Sequence, residues 1–234
     1  MTGDSAHGFR HALRQPGAAA FTSAGLLARL PVAMIALATI LLVSNVSDSY
    51  GYAGLLSALF AITAALVSIG TSRWADSVGQ TLVLRVLGVL HSGLLVAFTA
   101  SIVSEAAVAL QILLIVAAGA TSPAIGSYVR ARWAALPGNA SIARAGFAWE
   151  SILDEVIFTI GPLLTTYVAF TYGLATPLWI AAGCVAAGSI WLSVTRRTAP
   201  PVVPSPSGSR SLTRVLRSPG LRPAVVSALG LGVL

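Results

Sequence analysis

Six apolar runs follow one another along the chain with only short polar connections between them: residues 25–44, 51–71, 82–103, 106–129, 147–170 and 174–195. An α-helix rises 1.5 Å per residue, so about 20 residues cross the roughly 30 Å of bilayer hydrocarbon. Backbone in that layer must satisfy its own hydrogen bonds, which leaves helices as the structure that such runs can adopt. The chain is therefore expected to be an all-α, polytopic membrane protein with six spans. A hydrophobic content of 56%, with 9% charged residues and a mean hydropathy of +0.86, excludes an ordinary water-soluble domain.

Charge orients these runs. All 14 basic residues are arginines, against 7 acidic ones, for a net charge of +7. Arg10 and Arg14 precede the first run, Arg73 follows the second, Arg130, Arg132 and Arg144 lie around the loop after the fourth, and Arg196 and Arg197 follow the sixth. The opposite connections carry Asp48 and Glu105 and no arginine. By the positive-inside bias the N-terminus is cytoplasmic and the protein lies in the cytoplasmic membrane, with the lipid bilayer as its first partner. Arginines that alternate with spans answer to topology and to anionic headgroups, each contact worth about 1 kcal/mol, and nucleic acid is not an expected partner.

Cys184 is the single cysteine, so no intrachain disulfide or multi-cysteine metal site is expected, and no metal or cofactor is predicted. Residues 1–20 superficially resemble a secretory signal. Five further spans and the lack of a small-residue cleavage site predict instead an uncleaved, irregular cytoplasmic tail ahead of a bundle over 21–195. From 196 to 220 the composition turns to a linker rich in proline and serine, with a short basic amphipathic stretch over 211–217 that Pro219 ends. Residues 221–234 are apolar again but amount to only about 21 Å of helix, too short to cross. They read as the start of a truncated seventh span, or else as a tail lying in the interface.

The loop between the second and third runs reads Ser72, Arg73, Trp74, Ala75, Asp76, Ser77, Val78, Gly79, Gln80, Thr81. It resembles the G-x-x-x-D-R-x-G-R-R signature of the major facilitator superfamily, matching at Asp76 and Gly79, while Ser72 stands at the first glycine. Six spans, a linker and a seventh span repeat that family's layout. The resemblance implies a six-helix half built from two three-helix inverted repeats, which rocks against a second half to move a small-molecule substrate by alternating access. It also implies that Asp76, Gly79 and Arg73 form a conformational gate; the residues alone read equally as a cap and a turn, with Asp76 capping the third span. Gly161 and Pro162 resemble the end of the family's antiporter signature, which implies a kinked fifth span and proton-coupled efflux; Ile157 stands where that signature has a glycine. A kink without a coupling role is the alternative.

Ionisable side chains within a span cost about 2.5 to 3.5 kcal/mol at mid-helix and ask for a partner or a task. The fifth run holds Glu150, Asp154 and Glu155, with Glu150 and Asp154 one turn apart on the same face. Asp154 and Glu155 are candidate proton carriers. Alternatively they form a structural ion pair with Arg29 of the first span or Arg85 of the third, and Arg29 alternatively snorkels to the interface. His91, mid-span in the third helix, is expected to bond a backbone carbonyl or a serine, or to relay protons. Gly119 to Pro123 of the fourth span is a candidate cavity wall.

An enzyme is not predicted. No G-x-x-x-x-G-K-S/T loop is present, and Gly126, Ser127 and Tyr128 with His91 do not make the glycine-flanked activated serine of an intramembrane protease. Three readings remain open: a secondary transporter that needs a missing C-terminal half or a second copy, a non-transporting six-span scaffold, and an inactive fragment.

Overall fold

The computed structural model describes residues 13–136 and 140–202. Its helices are α1 (Ala18–Ser47), α2 (Tyr50–Val78), α3 (Gln80–Val103), α4 (Val108–Ala120), α5 (Ile125–Ala135), α6 (Ala140–Tyr172) and α7 (Thr176–Val194), followed by a 3-10 turn at Arg196–Thr198. With α4 and α5 taken together as Val108–Ala135, six helices among the described residues are long and apolar enough to cross a membrane. The chain is a multi-pass membrane protein whose described residues form helices and no strands. It divides at Val202 into two units. The second, 203–234, lies outside the described residues, as do residues 1–12, and with them Arg10, the amphipathic stretch and the start of the seventh span.

Short turns reverse the chain between helices. Asp48 takes a left-handed conformation at φ 51° to end α1, and the Ser49 side chain accepts a hydrogen bond of 3.2 Å from Tyr52 N to start α2. Between α2 and α3 a single residue, Gly79, turns the chain at φ 96°, a conformation that side chains with a Cβ rarely adopt. Asp48 and Asp76 are thus separated by the length of α2, roughly 42 Å at 1.5 Å per residue. Two apolar cores fill the bundle. One joins Phe21, Leu84, Val129, Trp133 and Leu192 at the end that carries the arginines, and the other joins Leu42, Leu56, Phe98, Ile115 and Leu178 at the end that carries Asp48 and Glu105.

Helix α1 is the hub, packing on α7, α2, α6 and α5, while α3 packs on α7 and α4, and α2 on α4. Small residues let the backbones approach. A Cβ added at Gly188 of α7 would sit 2.5 Å from the Ala28 backbone nitrogen, and one at Gly161 of α6 would sit 2.6 Å from the Ala33 Cβ.

Four expectations are corrected. First, α1 begins at Ala18, so residues 18–20 belong to the bundle; Ala18 and Phe21 are fully buried, which holds the first turn in place. Second, α6 begins at Ala140, seven residues before the apolar run, because Gly146 lies beneath the Trp133 ring and anchors the polar first turns. Third, the fourth span is broken over residues 121–124. Pro123 has no N–H to give Gly119, and Ser122 N turns back to the Gly119 carbonyl at 3.1 Å. Fourth, the segment after α7 is not a free linker at its start, since Thr198 is buried against the bundle.

Substituting Gly188→Leu is expected to lower the unfolding midpoint in detergent by an amount equivalent to about 1–3 kcal/mol of overpacking. Gly183→Leu, on the same helix but with open space around it, should leave the midpoint unchanged.

Candidate functional site

The costly charges of the fifth span converge on α1. Arg29 is 5% exposed and Glu150 fully buried. Glu150 and Asp154 lie one turn apart on the inner face of α6, so one guanidinium fork reaches both. Arg29 Nη1 donates to Asp154 Oδ1 at 2.8 Å, and Nη2 donates to Glu150 Oε2 in a close ion pair. Its third donor, Nε, bonds the Gly25 carbonyl at 3.3 Å. Arg29 does not snorkel: its fork is held inside the bundle.

Two residues of α5 complete the network. Trp133 Nε1 donates to Glu150 Oε1 at 2.8 Å, and the ring meets Phe21 edge-on with centroids 5.0 Å apart. Arg130 Nη2 donates to Asp154 Oδ2 at 2.7 Å. Glu150 is thus enclosed by Arg29 and Trp133, whereas Asp154 bridges a buried arginine and an exposed one; the Arg130 side chain is 44% exposed and that of Asp154 30%. The spacing of Arg130 and Trp133, three residues apart on one helical face, was the available signal for these two contacts.

Glu155 points elsewhere. It is exposed and has no partner among the described residues. Arg85 pairs with no carboxylate among the described residues; its Nε donates to Ser193 Oγ at 3.1 Å.

A second buried arginine went unrecognised in the sequence. Arg132, fully buried, donates through Nε to Gln80 Oε1 (3.2 Å), through Nη1 to Thr195 O, Thr195 Oγ1 and Thr198 Oγ1 (2.8, 2.6 and 3.1 Å), and through Nη2 to Leu192 O (2.9 Å). The carbonyls of Leu192 and Thr195 lie where α7 runs out of intrahelical donors, so the guanidinium acts as a C-terminal cap. Gln80 Nε2 in turn bonds Tyr128 O at 3.4 Å, and Tyr128 Oη bonds Thr71 O at 3.3 Å. One side chain thereby ties α3, α5 and α7 to the segment that follows them. No periodicity marks Arg132, because its acceptors are neutral and distant in the chain.

The gate candidates are placed as follows. Asp76 stays in the last turn of α2, exposed, and makes no capping bond to α3, which corrects the expectation that it caps the third span; Gly79 itself occupies that N-cap position. Gly79 N bonds the Ala75 carbonyl at 2.9 Å, and Arg73 is exposed without an ion pair among the described residues. Gly161 packs on α1, and Pro162 lies within the continuous α6, where Thr165 and Thr166 donate to the Gly161 and Pro162 carbonyls at 2.8 and 2.9 Å. Among the described residues no group of three His, Cys, Asp or Glu could hold a metal ion.

No family model, curated protein or solved structure matches this chain. The site therefore stands on its own geometry.

Arg29→Met leaves Glu150 buried without its cation and is expected to destabilise the protein by about 3–5 kcal/mol, read as a lower unfolding midpoint in detergent. The double substitution of Arg29→Met with Glu150→Leu should recover most of that loss, because it removes both charges. Arg132→Lys cannot span five acceptors from one point charge and is expected to cost about 1–3 kcal/mol, measured in the same way.

Proposed function

We propose that this six-helix unit is one half of a major facilitator superfamily secondary transporter that exports a small molecule across the cytoplasmic membrane in exchange for protons, with its arginine-bearing end in the cytoplasm. The observation that carries the reading is Glu155. At 100° per residue, the exposed Ser151, Glu155, Thr159 and Thr166 fall within an arc of about 80° on α6, while the exposed Ile152, Val156, Ile160, Leu163 and Tyr167 fill a separate arc of about 80°. An unpaired carboxylate facing hydrocarbon is too costly to be retained there, so the polar arc is suited to a water-filled pathway or to another helical unit. Asp154 is paired with two arginines and Glu155 with none among the described residues, which makes Glu155 the candidate proton carrier.

The packing of the spans supports the family assignment. Exchanging the first three spans with the last three carries the one–six contact onto three–four, one–five onto two–four, one–two onto four–five and two–three onto five–six. Contacts one–four and three–six map onto themselves, and the slight one–three contact has no counterpart of similar extent. Three-span units necessarily run in opposite senses across the bilayer, so this pairing is what an inverted repeat would produce. Spans two and five, equivalent under the exchange, are among the least covered helices, which leaves them to face a second six-helix unit, either a separate half or a second copy.

With Cys184 replaced by alanine, Glu155→Cys is expected to react with a water-soluble, membrane-impermeant thiol reagent, and Ile152→Cys is not; equal protection of both would place the polar arc in lipid. Proton-driven flux in vesicles where two six-helix units are paired should fall at least tenfold in Glu155→Gln. Undiminished flux in that variant, or flux from vesicles holding single copies, would overturn the mechanism.

A further inference from the structure

Between the two apolar cores, at mid-height of the bundle, lies a cavity of about 250 Å³. Pro31, Phe60, His91 and Ser122 line it, and it opens between Val32 of α1 and Ala61 of α2, both exposed. None of the residues lining it is charged. The network of Arg29, Glu150 and Asp154 contributes no side chain to its wall.

His91 is 1% exposed and gives the cavity its polarity. Its Nδ1 lies 2.7 Å from the Ala118 carbonyl, which can only accept, so Nδ1 carries the hydrogen. At the break in the fourth span Ser122 N, which a continuous helix would direct to Ala118, bonds Gly119 instead, and the Ala118 carbonyl accepts from Thr121 N (3.3 Å) and Thr121 Oγ1 (3.1 Å) as well as from His91. The Ala118 contact fixes both ring orientation and tautomer, and leaves Nε2 of the neutral imidazole as an acceptor with no protein partner among the described residues. Phe60 sits beside the ring, with centroids 6.0 Å apart. The Ser122 hydroxyl also lines the cavity and has no partner among the described residues.

We propose that this cavity is a binding site for an uncharged, lipophilic molecule bearing one hydroxyl, of phenol or small-alcohol type, whose O–H donates to His91 Nε2 while its apolar body packs against Pro31 and Phe60. An organic cation or a carboxylate finds no counter-charge in the cavity and leaves its own charge unpaired. Size sets the scale: a dry cavity of about 150 Å³ holds benzene, so about 250 Å³ accommodates a bicyclic aromatic. The opening between α1 and α2 gives a solute dissolved in the membrane a direct entrance. That the occupant is the transported substrate rests on the transporter reading, but its binding does not, and binding is measured without flux.

The test uses the full 234-residue chain in lipid nanodiscs with 2-naphthol, 2-methoxynaphthalene and naphthalene, each corrected for partition into empty nanodiscs. The chain is expected to bind 2-naphthol about five- to tenfold more tightly than its methyl ether, the range set by one neutral hydrogen bond. In protein labelled with ¹⁵N-histidine, 2-naphthol should shift the Nε2 resonance of His91, which His91→Gln identifies by its loss, while naphthalene should not. Ala61→Leu narrows the entrance without touching the ring and should weaken all three ligands together. Equal affinity for the three compounds in the unmodified chain, or saturable 2-naphthol binding that leaves the His91 resonance unmoved, overturns the proposal even if His91 variants fail to fold. Binding as expected with no flux in paired vesicles would retain the site and sink the transporter reading instead.

Discussion

A guanidinium inside a bundle made for hydrocarbon must be compensated on all its donors, and Arg29 sets that condition for much of this molecule. Its partners Glu150 and Asp154 come from α6, one turn apart, so α1 and α6 are fixed in rotation and in height against each other. Trp133 then closes over Glu150 and places α5, while the absence of a Cβ at Gly146 lets the ring lie flat on α6. Three helices are thus registered by charge where apolar side chains alone, surrounded by equally apolar lipid, would offer little preference for one rotation over another.

Arg132 does comparable work by another route. It has no carboxylate to meet, and its charge is spread over the carbonyls and hydroxyls at the end of α7 and over Gln80 at the start of α3. The two arginines therefore divide the arginine-bearing end of the bundle: Arg29 registers helices one, five and six of the chain order, and Arg132 registers three, five and seven. Helix α5 belongs to both groups, which is why the break in the fourth span matters. It frees α5 to follow these polar contacts while α4 packs on α2 and α3 in the other core.

The break has a second consequence. The carbonyl of Ala118, just before the break, is shared by Thr121 and His91, and Ser122 and Pro123 of the break line the cavity between the two cores. The charged network and the cavity are accordingly distinct in chemistry. One is ionic and balanced, two arginines against two carboxylates, with Glu155 outside it, and the other is uncharged with a single oriented ring nitrogen. In a transporter this separation would keep the coupling charge apart from the substrate's apolar body.

The sequence alone determined the number of spans and their helical nature, because bilayer thickness and backbone hydrogen bonding leave no other structure for such runs. It also determined that Glu150 and Asp154 share a face, since four-residue spacing on a helix is geometry that needs no neighbour. Which cation answers them was undecided between Arg29 and Arg85, and the packing of α1 on α6, with Gly161 against Ala33, chose Arg29, since α3 packs instead on α7 and α4. The tertiary structure likewise decided that Glu155 has no partner among the described residues, that Asp76 does not cap α3, and that Arg132 is buried. These depend on how helices distant in sequence rotate about their axes, and an apolar run carries no record of that rotation until its neighbours are in place.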